Sequence, residues 1–173
     1  MKSKTSGIKY FLISIAIAYA YAVILHFTYD LLGRFFPLAG LMPVSESIWE
    51  HLKLVFYPIC IVFLCPWNNL IRQIPIKTRV IMAAPAVFIG KFLVAMGYYG
   101  LKVGFLIEGI VSDCLLLLAA LMLGIYHGLF LKKYLFPAWV FWLCLLYLAT
   151  DVFLFYLFSF WIPDLPIFQP PVF

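Results

Sequence analysis

The apolar residues of this 173-residue chain form long runs that are separated by short polar stretches. Each run is long enough, or nearly so, to cross a bilayer as a helix, which takes about 20 predominantly apolar residues. We therefore predict an all-α, polytopic membrane helix bundle that forms one integral membrane domain over residues 1–173. The predicted bundle has about five transmembrane helices, at residues 10–32, 47–66, 80–99, 103–131 and 136–162.

Capping and breaking residues support these boundaries. Pro37 lies in the break after the first run, and Ser47 followed three residues later by Glu50 is a capping-box pattern that predicts a helix start. Pro58 predicts a kink within the second helix. The proline-rich tail, residues 163–173, is predicted to be extended.

Composition excludes a soluble domain. Hydrophobic residues make up 66% of the chain and charged residues 11%, whereas soluble domains are about half apolar and a quarter charged. The net charge of +5 does not indicate nucleic-acid binding, because the basic residues occupy short runs between apolar segments rather than one polar face. The first partner that composition implies is the lipid bilayer.

The basic residues also predict the orientation of the chain. Eight lysines and arginines lie at the N-terminus and in the loops after the second and fourth predicted helices, whereas the opposite side has only Arg34 and Lys102. Basic loops stay in the cytoplasm, so we predict a cytoplasmic N-terminus and an extracytoplasmic C-terminus in a multi-pass protein of the cell membrane. An odd number of spans agrees with this distribution.

Ionisable residues inside the apolar segments are the main functional signal. Each such group costs about 2.5–3.5 kcal/mol on insertion scales, so those that persist usually face a partner or a wet cavity. Most of them fall in the predicted outer half of the bilayer, which predicts a polar funnel entered from outside. The residues are His26, Asp30, Glu46, Glu50, His51, Lys53, Lys91, Glu108, Asp113 and Asp151.

Two chemistries fit the residues nearest the predicted outer face. Two histidines with nearby carboxylates could bind a divalent metal such as zinc, with His26, Asp30, Glu50 and His51 as the ligands. The same groups could act without a metal, with His51 and Glu50 as a catalytic acid and base. The spacing leaves both alternatives open.

Structural roles compete with these functions. Glu46 at a helix N-terminus is favourable against the helix dipole, so a structural role is favoured for it. Lys53 is expected to act as an ion-pair partner of buried acids. Carboxylates near the midplane have fewer structural explanations. They suggest a substrate or ion path lined by Lys91, Glu108, Asp113 and Asp151.

The segment Glu46-Ser47-Ile48-Trp49-Glu50-His51-Leu52-Lys53 resembles the E-S-x-W-E-H-x-K motif of a family of small polytopic bacterial membrane proteins of unknown function. In that family the first helix ends in a histidine and an acid, which His26 and Asp30 match. The proline-rich tail is similar to the ending of the family's members. The resemblance implies a membrane protein but supplies no mechanism.

Three functions are compatible with the sequence. The leading hypothesis is an intramembrane enzyme that acts from the outer side on a lipid-like or cell-envelope substrate. The second is a transporter of a small solute or ion, or a substrate-binding membrane subunit with a separate partner. The third is an assembly or scaffold protein, working as a homo-oligomer or with a membrane-protein partner.

Overall fold

The secondary structure of the described part of the chain is all α-helical in class, as predicted. A computed structural model describes residues 2–65, 67 and 69–170, and the side chains of 7–65, 67 and 71–170. These residues contain no strand. The α-helices are α1 (Lys2–Leu31), α2 (Ile48–His51), α3 (Lys53–Leu64), α4 (Asn69–Arg72), α5 (Ile76–Tyr99), α6 (Ile110–Leu131) and α7 (Ala138–Phe160).

Four helical segments of the described chain are long and apolar enough to cross a membrane, namely Gly7–Leu31, Ile76–Gly104, Ile110–Leu131 and Ala138–Phe160. The second predicted transmembrane helix, residues 47–66, is not among these four segments. It divides at Leu52 into α2 and α3, and α3 has only 12 residues. At 1.5 Å per residue α3 is about 18 Å long, well short of the hydrocarbon thickness of about 30 Å.

The short helix α3 lies at the centre of the bundle, where it packs against α1, α5 and α6. Eight of its 12 residues are buried, and Val55, Ile59, Val62 and Phe63 have no exposed surface. Neighbouring helices surround α3 on several sides. They therefore bury its apolar side chains, a role that lipid would otherwise fill.

Glycines allow α5 and α6 to pack closely. Gly124 and Gly128 lie one helical turn apart on the face of α6 that meets α5. A Cβ atom at Gly124 would lie 2.6 Å from the carbonyl oxygen of Ala86, and one at Gly128 would lie 2.8 Å from that of Met82. Small residues with this spacing are typical of close helix contacts in membranes.

The start of α6 differs from the predicted start of the fourth helix at residue 103. After α5 the chain forms a single π-helical turn, Gly100–Gly104, and then a loop up to Gly109. Gly109 has a φ of 128°, which side-chain-bearing residues rarely adopt, so the helix can begin only after it. Glu108 consequently lies in the loop and not in the helix.

Other boundaries differ by smaller amounts. The first helix begins at Lys2 rather than near residue 10, and the third begins at Ile76, directly after Pro75, rather than at residue 80. Pro75 is the N-cap residue of this helix, and its restricted φ does not continue a helix on its N-terminal side. The last helix covers Ala138–Phe160 rather than 136–162.

The tail was predicted to be extended, but one part of it is helical. Residues Pro166–Phe168 form a 3-10 turn. This turn directs the buried ring of Phe168 onto Trp49, with 4.9 Å between the ring centroids.

Several helix ends meet at one end of the bundle, which we call the site end. The C-terminal turns of α1 approach α2, since the rings of His26 and His51 are 5.4 Å apart. The turn after α5 approaches the start of α6, and the last turn of α7 contacts the start of α3. The site end therefore collects the ends of α1, α5 and α7 and the beginnings of α2, α3 and α6.

Candidate functional site

Two histidines and one glutamate form a compact cluster at the site end. Glu46 Oε2 lies 3.4 Å from His51 Nε2, and Glu46 Oε1 lies 3.9 Å from His26 Nε2. One donor atom from each of the three residues lies within 4.8 Å of the others. The Glu46 side chain is 68% exposed, and His26 and His51 are about one-third exposed or less. The cluster is thus accessible.

The helix cap of α2 orients the cluster. Ser47 Oγ accepts a hydrogen bond from the backbone N–H of Glu50, which confirms the predicted cap. The ring of His51 bonds through Nδ1 to the carbonyl oxygen of Ser47, at 2.9 Å. Because a carbonyl can only accept, Nδ1 carries the proton in this bond, and Nε2 faces Glu46.

The cluster borders a cavity of about 790 Å³ between α1, α2, α5 and α6. Its walls are mainly apolar, with side chains such as Leu54, Val94 and Leu117. Cavities of this size accommodate drug-sized ligands. The polar groups that line it are His26, Glu46, His51, Lys102, Glu108, Asp113, Tyr19, Tyr98 and Cys114.

Lys102 and Asp113 form an ion pair within the cavity lining. Lys102 Nζ lies 3.6 Å from Asp113 Oδ2 and 4.5 Å from the centroid of the Tyr98 ring. Glu108 and Asp113, which the sequence analysis assigned to a substrate or ion path, both line this cavity together with the two histidines. The structure therefore brings part of the predicted path and part of the predicted acid–base site together.

Glu50 belongs to a separate, buried network. Lys53 has no exposed side-chain surface, and its Nζ donates hydrogen bonds of 2.6 Å to Glu50 Oε2, Ser159 Oγ and the carbonyl oxygen of Ala39. Glu50 Oε2 also accepts from the backbone N–H of Val44, at 2.8 Å. This network joins α2, α3, α7 and the loop after α1, so Glu50 is engaged away from the histidine cluster.

Asp30 is likewise not part of the cluster. Its carboxylate accepts a 2.8 Å hydrogen bond from Arg34 Nε, and both side chains are more than 70% exposed. Of the four metal ligands that the sequence suggested, the structure brings together His26 and His51. Glu46 takes the place beside them that had been expected for Asp30 and Glu50.

Lys91 and Asp151 form an ion pair between α5 and α7, with 2.5 Å between Nζ and Oδ1. Both are mostly buried, and the Lys91 Nζ lies 5.1 Å from the Tyr147 ring centroid. The other carboxylate oxygen of Asp151 and the Tyr147 hydroxyl are buried and have no hydrogen-bond partner in the described part of the structure. This pair does not line the cavity described above.

Sequence reasoning missed several contributors to the site. It gave Glu46 a structural role, and it did not single out Lys102, Tyr98 or Ser159. The signal for Glu46 was its position directly before the Ser47 cap, which places it at the same helix terminus as His51. No local pattern pointed to Ser159, because its partners in the buried network, Lys53 and Glu50, are more than 100 residues away in sequence.

The comparison with known families confirms one part of the resemblance, namely a family of unknown function that covers almost the whole chain. Residues 1–172 match the family described as "Family of unknown function (DUF6512)". The chain belongs to this family. Neither a curated protein nor a solved structure matches the chain. The geometry of its own residues therefore has to support any functional proposal.

Proposed function

We propose that this protein is a membrane-embedded enzyme that acts on a lipid-like substrate bound in the cavity at the site end. One observation carries the proposal: a mainly apolar cavity of about 790 Å³ has the cluster of His26, Glu46 and His51 in its wall. An amphipathic molecule fits such a site, since its acyl part can contact the apolar walls while its polar part meets the titratable groups.

The surroundings of the cavity support entry from the lipid. At the far end of the bundle α1 contacts α6, where the rings of Phe11 and Tyr126 are 6.3 Å apart. At the site end the cavity separates the same two helices, and its lining residues Val23, Phe27 and Ile110 are between 40% and 78% exposed. A lipid-like substrate would enter between α1 and α6 without first passing through water.

His51 is the residue that we assign to acid–base chemistry. Its Nδ1 is held by the backbone, so Nε2 is left to accept or deliver a proton in the cavity, next to Glu46. Lys102 and Asp113 form an ion pair in the cavity lining, so this part of the wall offers one group of each charge to the polar part of a substrate. Glu50, for which a catalytic role was expected, is better suited to positioning α2 through its bonds to Lys53.

The distribution of basic residues supports an outward-facing site in the cell membrane. The N-terminal lysines and the Lys132–Lys133 pair lie away from the site end, and basic segments favour the cytoplasm. We therefore propose that α1, the α2–α3 pair, α5, α6 and α7 all cross the membrane, with the N-terminus cytoplasmic. The site then lies in the outer half of the bilayer.

The enzyme proposal is tested by turnover of a lipid panel in vesicles that contain the purified full-length chain. We expect a product with the unmodified protein and at least a hundredfold loss of rate in His51→Ala, because general acid–base catalysis contributes about 10²–10⁴-fold. His127→Ala is the matched control, since this histidine lies on α6 outside the cavity lining. Full turnover by His51→Ala would refute the assignment.

A second candidate function is the transport of an ion or small solute, which the Lys91–Asp151 pair favours. Ionisable residues buried within membrane-spanning helices mark proton and ion paths, and Lys91 and Asp151 form such a pair between two of these helices. Reconstituted vesicles would then show proton or sodium flux that Asp151→Asn abolishes. Flux that is absent, or that persists in this variant, would exclude the pair from transport.

A further inference from the structure

We infer that His26, Glu46 and His51 are the protein ligands of a zinc ion. As a statement about catalysis this inference rests on the proposed enzyme but changes the role of His51, because an Nε2 atom that binds zinc cannot also transfer a proton. The metal, with water in its open position, would supply that chemistry instead. As a statement about binding it stands on the geometry of the three side chains alone. The ligand set differs from the one expected from sequence, because Glu46 replaces both Asp30 and Glu50.

The distances within the cluster are close to those of a zinc site. With metal–ligand bonds of about 2.0–2.1 Å, two ligand atoms of a tetrahedral centre are roughly 3.4 Å apart. Glu46 Oε2 and His51 Nε2 are separated by 3.4 Å, and the other carboxylate oxygen, Oε1, lies 3.9 Å from His26 Nε2. When each residue offers a single donor atom, the three atoms lie within 4.8 Å of one another. The histidine rings already face each other, with 5.4 Å between their centroids. Small side-chain rotations would complete the set.

The hydrogen bonds around the cluster prepare the ligands. Histidines that bind a metal usually donate their other ring N–H to a carbonyl or carboxylate, which fixes the tautomer. His51 has this arrangement, because Nδ1 bonds to the Ser47 carbonyl and Nε2 faces Glu46. The Nδ1 atom of His26 is buried and has no hydrogen-bond partner among the described residues, which leaves this ring able to turn either nitrogen toward an ion.

The ligand types favour zinc over magnesium or calcium. Imidazole nitrogen suits zinc, whereas magnesium and calcium prefer oxygen ligands. Two histidines and one glutamate leave a fourth tetrahedral position for water or substrate, which is the composition of a catalytic rather than a structural zinc site. In this chain that position would face the cavity that the cluster borders.

The competing carboxylates are held by other partners. Asp30 is paired with Arg34, and Glu50 with the fully buried Lys53. Recruiting Glu50 to a metal would leave the Lys53 charge uncompensated in the protein interior, which is strongly unfavourable. The structure therefore distinguishes between the two carboxylates of the motif, with Glu46 facing the histidines and Glu50 facing the lysine.

Metal binding is tested directly with the full-length chain in detergent. After treatment with a chelator the protein is titrated with zinc, and separately with Co²⁺, whose visible absorption reports a tetrahedral site. We expect about one zinc ion per chain. Affinity should fall by more than about 100-fold in His26→Ala, Glu46→Gln and His51→Ala, since even outer-shell changes cost 10–100-fold. His127→Ala should bind zinc as the unmodified chain does.

Asp30→Asn separates the two ligand sets, because it should retain zinc if Glu46 is the ligand and lose it if Asp30 is. Cobalt spectra of the unmodified chain supply a readout that does not depend on the folding of a variant. A chain that binds neither metal, or cluster variants that bind zinc unchanged, would overturn the inference. Lipid turnover that does not require zinc would overturn the catalytic statement while leaving zinc binding and the proposed enzyme intact. Zinc binding without turnover would support the binding statement and count against the proposed enzyme.

Discussion

At the scale of single residues, the titratable groups of the site end divide into an accessible cluster and a buried network. His26, Glu46 and His51 meet at the cavity, whereas Glu50 and Lys53 hold the surrounding elements together. Burial accounts for the division, since Glu50 and Lys53 are almost completely enclosed and an enclosed charge needs a partner. The two glutamates of the motif therefore have different roles.

Sequence predicted the histidines of the cluster but not its carboxylate. His26 and His51 stood out because ionisable groups in apolar segments are costly. Glu46 lies just before the first turn of α2, so helical periodicity does not fix its direction. Glu50 does lie within that turn, three residues before Lys53, but Ser159, which also donates to its carboxylate, comes from a distant part of the chain. Only the tertiary fold shows that the Glu50–Lys53 pair is enclosed and separate from the histidines.

The burial of the Glu50–Lys53 ion pair leads to a prediction about stability. Lys53→Met leaves the Glu50 carboxylate buried without its cation, so we expect the free energy of unfolding to fall by about 3–5 kcal/mol. Combining it with Glu50→Gln should recover part of the loss, since the uncompensated charge is then removed. Denaturation in detergent, followed by circular dichroism, measures both effects.

The exposed pair Asp30–Arg34 provides the control for that prediction. Arg34→Ala breaks an ion pair of similar length on the surface, where such pairs contribute little. A loss in Arg34→Ala as large as that in Lys53→Met would show that burial is not the cause.

At the scale of helices, the long apolar runs predicted that each helix exists better than they predicted where it begins and ends. The four membrane-length helices were all expected, because their runs exceed what any soluble fold requires. The start of α6 was not, because it depends on the left-handed backbone of Gly109. The sequence also did not predict the interruption at Leu52 or the burial of α3. A buried helix and a lipid-facing helix have the same apolar pattern.

The contact between α5 and α6 makes a prediction at this scale. Gly124→Ala adds a methyl group 2.6 Å from the Ala86 carbonyl oxygen, and a backbone atom cannot move aside easily. We expect the free energy of unfolding to fall by about 1–3 kcal/mol. Gly7→Ala in α1 is the matched control, because nothing lies within 4 Å of the added methyl group there. Equal stability of the two variants would contradict the proposed packing.

At the scale of the whole molecule, the convergence of helix ends makes the topology testable. Helices α1 and α7 both end at the site end, so the chain would cross the membrane an odd number of times. In a variant without its four cysteines, a single cysteine at Arg34 should react with an impermeant maleimide in intact cells. One at Lys133 should react only after permeabilisation. The opposite pattern would reverse the proposed orientation.

The central claim is that a lipid-like molecule occupies the cavity, and photo-crosslinking tests it most directly. The full-length chain, reconstituted with a phospholipid that carries a photoreactive acyl chain, is irradiated and the labelled residues are mapped by mass spectrometry. We predict labels on cavity residues such as Leu54, Val94 and Leu117. The variant Leu117→Trp should abolish this labelling because the larger side chain fills the cavity. The control Leu146→Trp, on the exposed face of α7, should leave the labelling unchanged. Labels confined to exposed helix faces, unchanged by Leu117→Trp, would contradict the account.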